Sequence, residues 1–358
     1  MKIEKKLLVE NLQNLIPILP TNATLPILSN IVLTTENKKL VLLATDLEIF
    51  IKKTTEIKIE EDEKICVRGK KFYEIIQALP EDIITLTNDK TLKIENGKCM
   101  FKLATAQIEE YPVTPEIKGT KIKLDAQNLK EKLNKILFAV SLEETRYALN
   151  GILFDFIGNK LNLVATDGRR LALATIKHEN DIVGKFIIPQ KAINNLIKIM
   201  GEEKKIEIII SEDKMIKFNC NNTEIITRLI DADYPNYLEV FPKGENSILK
   251  VNTQKLYQAI KRASIMVTQD SIALAIKLEK GKITVSKNTP DLGEEKEVIK
   301  AEYDGEERTI GFNPKYLLDN LQIIDEEIVE IEIINHEKPV VIKINSEYTY
   351  IILPMMLN

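Results

Sequence analysis

The chain has 358 residues, 44% hydrophobic and 29% charged, which is ample apolar material for two or three packed domains and excludes a disordered or fibrous protein. Its 50 basic and 54 acidic side chains leave a formal net charge of −4, so global charge predicts no affinity for nucleic acid or anionic membranes and any basic surface has to be local. Glu10, Asn11, Gln13 and Asn14 interrupt the apolar stretch a signal peptide needs, no run approaches transmembrane length, and Cys66, Cys99 and Cys220 are odd in number and far apart; the expectation is a soluble cytoplasmic protein with reduced thiols and no membrane contact.

In chain order, the first expected element is a helix over about residues 5 to 19, where Leu8, Leu12, Leu15 and Leu19 recur at helical spacing. LPILSNIVLTTENKKLVLLATD then reads as an apolar strand, a polar turn and a second strand ending at Ala44-Thr45-Asp46. VRGKKFYEIIQALP is an amphipathic helix over about 69 to 79, and DIITLTNDKTLKIENGKCMFKLAT follows as alternating strands.

The same order then returns. A helix over about 125 to 140 carries Leu129, Leu133, Ile136 and Val140, and RYALNGILFDFIGNKLNLVATD repeats the strand pair with Ala165-Thr166-Asp167 at an offset of 121. A helix over about 190 to 200 lies in IPQKAINNLIKIM, ahead of the strands of KIEIIISEDKMIKFNCNNTEIITRLI. The third round has helices over about 253 to 264, with Leu256, Ile260 and Ala263, and 313 to 324, in FNPKYLLDNLQII, before IVEIEIINHEKPVVIKINSEYTYIILP. Lys71, Lys191 and Lys315 hold equivalent places, 120 and 124 residues apart. Three units follow, 1–118, 119–245 and 246–358, joined through PEIKGT and PKGENS, whose Pro, Gly and charge content suits links. The fold class is α+β, each unit carrying two helices on antiparallel sheets.

The helices are locally basic. Lys5, Lys6, Lys70, Lys71, Lys130, Lys132, Lys135, Lys191, Lys198, Lys255, Lys261, Arg262 and Lys315 stand against only Glu10, Glu74, Asp125, Glu131 and Asp319. One basic helix face is commonplace, because lysine is a good helix former; a net positive charge on five of the six suits a polyanion held by phosphate contacts without sequence reading.

Catalytic signals are weak. His178 and His336 lie in polar contexts without ligand spacing, and no phosphate loop, dinucleotide fingerprint, nucleophile elbow or zinc-protease motif occurs. Asp46 and Asp167 could form an acid/base pair, but each repeats the other at a strand end, where aspartate commonly makes an Asx-turn. An enzyme using Asp167, Arg169 and Arg170 on a phosphorylated metabolite, and a scaffold of three repeats without nucleic acid, are the alternatives. No catalytic residue, metal or cofactor is expected.

LPILSNIVL with ATDLE, RYALNGILF with VATDGRRLALA, DADYPNY, IGFNPKYLLDNL and YIILPMMLN resemble, in order and over the whole chain, the bacterial sliding clamps, the β subunits of DNA polymerase III. The resemblance implies a head-to-tail homodimer closed into a ring around double-stranded DNA, bound without regard to sequence, that tethers the polymerase as a non-catalytic processivity factor. It implies a hydrophobic cleft for short peptides of the DNA polymerase III α subunit, the clamp loader, other DNA polymerases and repair proteins. Matching motifs place Arg146, Leu149, Thr166, Gly168, Arg169, Arg170, Leu171, Pro235, Val240, Asn313, Tyr316, Pro339, Ile351, Leu353, Pro354 and Met355 in that cleft, its apolar members taking leucine or phenylalanine anchors and its arginine and asparagine holding peptide carbonyls. Arg146 and Tyr147 would join the helix lysines toward DNA, although Ala148 replaces a second tyrosine seen in relatives. At the ring seam, Ile265 and Met266 would pack together with the partner, and Lys70 and Lys71 would face Glu294, Glu295 and Glu297. Glu239 and Met356 replace arginines of the enterobacterial form, and Asn358 extends the tail.

Overall fold

The computed structural model describes residues 1–22, 24–57, 62–201 and 203–357. The first third runs β1 (Lys2–Glu4), α1 (Lys5–Gln13), β2 (Asn30–Glu36), β3 (Lys39–Thr45), β4 (Ile49–Glu56), β5 (Lys64–Arg68), α2 (Gly69–Ala78), β6 (Ile83–Asn88), β7 (Thr91–Asn96) and β8 (Cys99–Ala104). The middle third has β9 (Thr120–Asp125), α3 (Ala126–Ile136), β10 (Gly151–Thr166), β11 (Arg170–Pro189), α4 (Gln190–Ile199), β12 (Lys205–Ile210), β13 (Met215–Cys220) and β14 (Thr223–Arg228). The last has β15 (Ser247–Asn252), α5 (Thr253–Ala263), β16 (Leu274–Glu279), β17 (Lys282–Thr289), β18 (Gly293–Tyr303), β19 (Arg308–Phe312), α6 (Pro314–Leu321), β20 (Ile328–Ile333), β21 (Val340–Ile344) and β22 (Tyr348–Ile352).

Six helices stand where the periodicity puts them, but the first of each third is shorter. α1 stops at Gln13 and a 3-10 turn follows at Ile16–Ile18; α3 and α5 likewise give way to turns at Leu137–Ala139 and Ser264–Met266. Leu15, Leu19 and Val140 are still buried, so the apolar spacing marks the buried face correctly while saying nothing about where the helix ends. In the first case Pro17 lacks the N–H that would continue the helical ladder. The later helices are capped by side chains: Asp125 Oδ1 accepts from the Asn128 N–H at 2.7 Å, Asn252 Oδ1 from Lys255 at 3.0 Å and Asn313 Oδ1 from Lys315 at 3.0 Å, with Pro314 at the first helical position.

Two compact units divide the chain, residues 1–130 with 191–229 and residues 131–190 with 230–358. The first holds a four-stranded sheet, β1-β6-β7-β8, and an eight-stranded sheet, β5-β2-β3-β4-β14-β13-β12-β9. Asn37 and Lys38, with φ of 51° and 62°, make the mirror-image turn that matches strand twist between β2 and β3. In the eight-stranded sheet β4 pairs antiparallel with β14, Ile51 opposite Ile225, so strands from two sequence repeats share one ladder.

The second unit is built on a ten-stranded sheet, β10-β11-β22-β21-β20-β15-β18-β17-β16-β19, and repeats the device: β11 pairs with β22, Leu171 opposite Ile351. The stretch read as strand, turn, strand at 151–166 is a single long element against β11, with the register slipping between Gly158 and Lys160 and Gly158 at φ 60°. A bulge at glycine bends a strand without releasing its ladder, which explains why a turn signal appeared there.

Within the units α1 packs on α2, burying Leu8, Leu12, Phe72 and Ile76, and α5 packs on α6, burying Leu256, Ile260, Leu317 and Leu321. Each such side chain contributes roughly 1.5–3 kcal/mol of hydrophobic stabilisation. Cys66 and Cys220 are buried free thiols and Cys99 is half-buried. No described helix is long and apolar enough to cross a membrane.

Gly69 opens α2 where a Cβ would sit 2.7 Å from Ile31 Cγ2 and collide with Leu19 Cδ1. Gly69→Ala gains helix propensity but overpacks this contact, and a net destabilisation of about 1–3 kcal/mol is expected. Urea unfolding reads it; a variant as stable as the parent means that Leu19 and Ile31 can yield.

Candidate functional site

The two Thr-Asp turns have one geometry. Asp46 Oδ1 accepts from the Glu48 and Ile49 N–H groups at 3.1 and 2.8 Å, and Asp167 Oδ1 from those of Arg169 and Arg170 at 2.9 and 3.1 Å. The preceding threonine hydroxyls accept from Leu47 at 2.9 Å and Gly168 at 3.0 Å. Both aspartates are therefore Asx-turn residues that reverse the chain between paired strands, and their second carboxylate oxygens diverge: Asp46 Oδ2 pairs with Lys191, Asp167 Oδ2 with Arg170 Nε at 3.0 Å.

Beside the second turn lies a cleft of about 110 Å³ lined by Leu149, Thr166, Gly168, Arg169, Arg170, Leu171, Tyr234, Pro235, Tyr237, Val240, Ile351 and Leu353. Leu171 and Ile351, opposite one another across the β11–β22 ladder, belong to a buried cluster with Leu153, Val164, Tyr237 and Val341. Val240 and Leu353 are exposed at its rim. An apolar floor with a few polar groups at the edge is what an extended peptide with apolar anchors requires. Tyr234 and Tyr237 were not among the expected lining residues. Their segment, DADYPNY, contributed only Pro235 to the expected cleft; two tyrosines flanking that proline ahead of the exposed Val240 were the available signal.

Arg169 and Arg170 do opposite things. Arg170 is buried, with Nε on Asp167, Nη1 on Asp319 Oδ2 at 2.7 Å and Nη2 donating to the Phe138 carbonyl at 2.7 Å. Its guanidinium lies 4.4 Å from the Tyr316 ring centroid and 5.2 Å from that of Phe138. Burial alone would lower its pKa, but the hydrogen bond to Asp319 and the nearby Tyr350, Asp167 and Asp319 groups raise it. Three of its five N–H groups are committed, one from each nitrogen, so Arg170 rivets strand, turn and α6 together while still lining the cleft. Arg169 is exposed beside Tyr316, whose hydroxyl is the main cause of its raised pKa, and is the arginine available to a ligand.

The remaining cleft candidates flank the pocket. Arg146 donates from Nη1 to the Asp167 carbonyl at 2.5 Å and pairs with Glu143 at 3.0 Å, filling the space a Cβ at Gly168 (φ 85°) would occupy. Asn313 Oδ1 caps α6 by accepting from the Lys315 N–H, and the expected hold on a peptide carbonyl would use its Nδ2. Tyr316 stacks on Arg170 and its carbonyl accepts from Tyr350 Oη at 2.9 Å. Pro339 immediately precedes β21. The Leu353 N–H donates to the Arg169 carbonyl at 3.0 Å and the Met355 N–H to the Gly311 carbonyl at 2.8 Å, with Pro354 between them, so the tail is tied down on both sides of the rim. Glu239 accepts from Asn236 Nδ2 at 2.8 Å, Met356 is fully exposed, and Asn358 lies outside the described residues.

The basic residues also differ in availability. Lys132 is 5% exposed and donates to Glu347 Oε2 at 2.7 Å; a buried, paired ammonium cannot reach a phosphate, and it leaves the DNA-facing set. Lys5 and Lys130 donate to the Leu79 and Met200 carbonyls beyond the ends of α2 and α4, a helix-capping use of lysine. Lys135 pairs with Glu131 at 2.9 Å, Lys71 with Glu74 at 2.5 Å, Lys315 with Asp319 at 2.8 Å and Lys191 with Asp46. Lys6, Lys70, Lys198, Lys255 and Lys261 are exposed, as is Tyr147. Arg262 grips both oxygens of Glu297 at 2.8 Å, so Glu297 already has a partner within its own chain. Ile265 is 75% exposed, Met266 is half-buried and Glu294 is exposed; Glu295 is held above the usual carboxylate range by burial and by Glu297. Among the described residues no group of His, Cys, Asp or Glu side chains is placed to hold a metal ion.

Arg170→Ala leaves Phe138, Asp167 and Asp319 facing an emptied slot and is expected to cost roughly 3 kcal/mol, as breaking a buried pair from one side does. Arg170→Lys recovers only part, because ammonium cannot make the forked contacts. Thermal unfolding checks both; equal stability of alanine and parent chains would remove the rivet.

Profiles of the DNA polymerase III beta subunit match the chain end to end: its N-terminal domain over residues 1–115, central domain over 123–236 and C-terminal domain over 238–356. The beta sliding clamp of Chlamydia pneumoniae is 30% identical over 356 residues, covering 98% of this chain and 96% of that one. Crystal structures of sliding clamps from Bartonella birtlesii and Bacillus subtilis superpose with TM-scores of 0.96 and 0.95 at 30% and 28% identity, covering 100% of this chain and 99% of each. Three α+β clamp domains in tandem, two of whose repeats carry the same Thr-Asp turn, place this chain in the family of the DNA polymerase III beta subunit, the bacterial DNA sliding clamps.

Proposed function

We propose that two copies close head to tail into a ring around duplex DNA, and that the cleft at Leu171 and Ile351 recruits the replicative polymerase α subunit, the clamp loader and repair proteins through short apolar peptides. The observation that carries this reading is a joint made twice in the chain and left open once. The strand after the Thr-Asp turn pairs with the last strand of the next repeat's meander, β4 with β14 and β11 with β22. By the same count, among the described residues, 293–300 of β18 pair only with β17, and β8 pairs only with β7. Each is the missing half of a third joint, between copies.

Side chains agree with this count. At the second joint Phe138, in the turn after α3, lies 5.7 Å from Tyr350, the third residue of its strand. The equivalent positions are Ile265, in the turn after α5, and Phe101, third in β8, exposed by 75% and 40%. Ile265 would thus pack on the partner subunit's Phe101. Lys191 reaches Asp46 at the first joint; its repeat Lys71, with Lys70, would reach the partner's Glu294 and Glu295. Such a heterologous contact closes a ring when the rotation fits. β8 was absent from the expected seam, since an edge strand and an inner strand alternate alike in sequence.

The chain divides at about residues 118 and 245, and the protein acts in the cytoplasm without cofactor or catalytic step. Its exposed helix lysines supply weak, sequence-blind phosphate contacts. For an open binder with six to ten such contacts, affinity drops roughly 10³ to 10⁵ between 50 and 200 mM salt; a closed ring stays linked regardless.

After loading onto nicked circular DNA, retention in high salt is expected, with escape once the circle is cut; loss from intact circles in high salt argues against encirclement. Replacing Ile265 and Met266 by alanine, or Phe101→Asp, should give monomers in sedimentation, and an undiminished dimer in all of these variants rejects the seam.

A further inference from the structure

We infer that Asp155, which does not line the cleft, is a positioning residue for peptide binding, acting through the hydroxyl of Tyr237. The inference rests on the cleft reading above. One wall of the cleft is the segment from Tyr234 to Val240, which joins no strand ladder; its only regular piece is the 3-10 turn Tyr237–Val240. A wall without backbone pairing has to be located by side chains.

Two tyrosine hydroxyls do so. Tyr234 Oη donates to the Val164 carbonyl at 3.3 Å, and Tyr237 Oη donates to Asp155 Oδ2 at 2.9 Å. Asn162 Nδ2 donates to Tyr237 Oη at 3.0 Å, and Thr175 Oγ1 donates to Asn162 Oδ1 at 2.9 Å. The Tyr237 ring meanwhile packs with Leu171 and Ile351 at the floor. The hydroxyl end is thus fixed by the β10–β11 ladder while the ring shapes the pocket.

Asp155 is 3% exposed, and the nearest cation, Lys185 across the ladder, is 3.9 Å away and largely in solvent. A buried carboxylate with so little compensation is costly for stability alone. It does supply a charged acceptor, which makes a shorter and stronger hydrogen bond than a neutral one. Tyr237 is correspondingly pushed up to about 12, by burial first and by Asp155 in part, so the phenol keeps its proton across the neutral range. A wall held in its bound position before the ligand arrives spares the ligand the cost of ordering it.

The test uses the full chain and a fluorescein-labelled synthetic peptide with leucine and phenylalanine anchors, read by anisotropy well below the unfolding temperature. Tyr237→Phe and Asp155→Ala are each expected to weaken binding about tenfold, the double variant no further than either, and Asp155→Asn to recover most of the loss. Leu171→Asp is the control for the cleft itself: peptide binding that survives it sinks the cleft reading rather than this one. If Leu171→Asp abolishes binding while Tyr237→Phe binds like the parent, the positioning role is overturned. Lower melting temperatures with unchanged affinity overturn it too, as that is what a purely structural network gives. Should Asp155→Ala not fold, Tyr237→Phe, which removes one oxygen, decides alone.

Discussion

A strand edge with unmatched N–H and C=O groups is unstable in water-poor surroundings and adhesive in water, and this constraint organises the chain. In the first two repeats the strand after the Thr-Asp turn, β4 or β11, has an edge that its own repeat leaves unpaired. The next repeat's meander supplies the missing ladder, so β4 takes β14 and β11 takes β22. Sheets therefore cross the boundaries between repeats, which is why compactness divides the chain into two units while sequence divides it into three.

The Thr-Asp turns serve this arrangement. Their carboxylates fix the reversal after β3 and β10 by accepting two backbone N–H groups each, and the free oxygen then reaches across the joint or to a neighbour that does. At the second joint that role passes through Arg170, which ties turn, strand and α6 together with Asp167, Asp319 and the Phe138 carbonyl. The cleft lies beside the same turn. The two adjacent arginines part there, Arg170 buried in the joint and Arg169 exposed.

Much of this was legible in sequence because it repeats. Two ATD tripeptides, three equivalent lysines and three rounds of helix and strand period fixed the number of repeats, and matching motifs found most of the pocket. What could not be read was the fate of individual polar groups. Nothing local says that Arg170 is consumed by Asp319, 149 residues away, or that Lys132 is buried on Glu347; lysine spacing gives charge but not partners. Helix ends were overrun where buried leucines continue through a 3-10 turn, since burial and helical geometry share a period over so short a stretch. Tyr237 was passed over because a tyrosine before an exposed rim looks like any other until its hydroxyl is traced to Asp155.

The slip of register at Gly158 sits between the two arms of β10, one carrying Asp155 and the other Asn162 and the Thr-Asp turn. A bulge lets two stretches of a single strand take different twists. Here both arms hold the pocket wall, Asp155 from one and Asn162 with the Val164 carbonyl from the other, so the slip at Gly158 sets how these anchors stand relative to each other. A glycine that lines no part of the cleft thus governs the relative placement of two groups that grip a single hydroxyl.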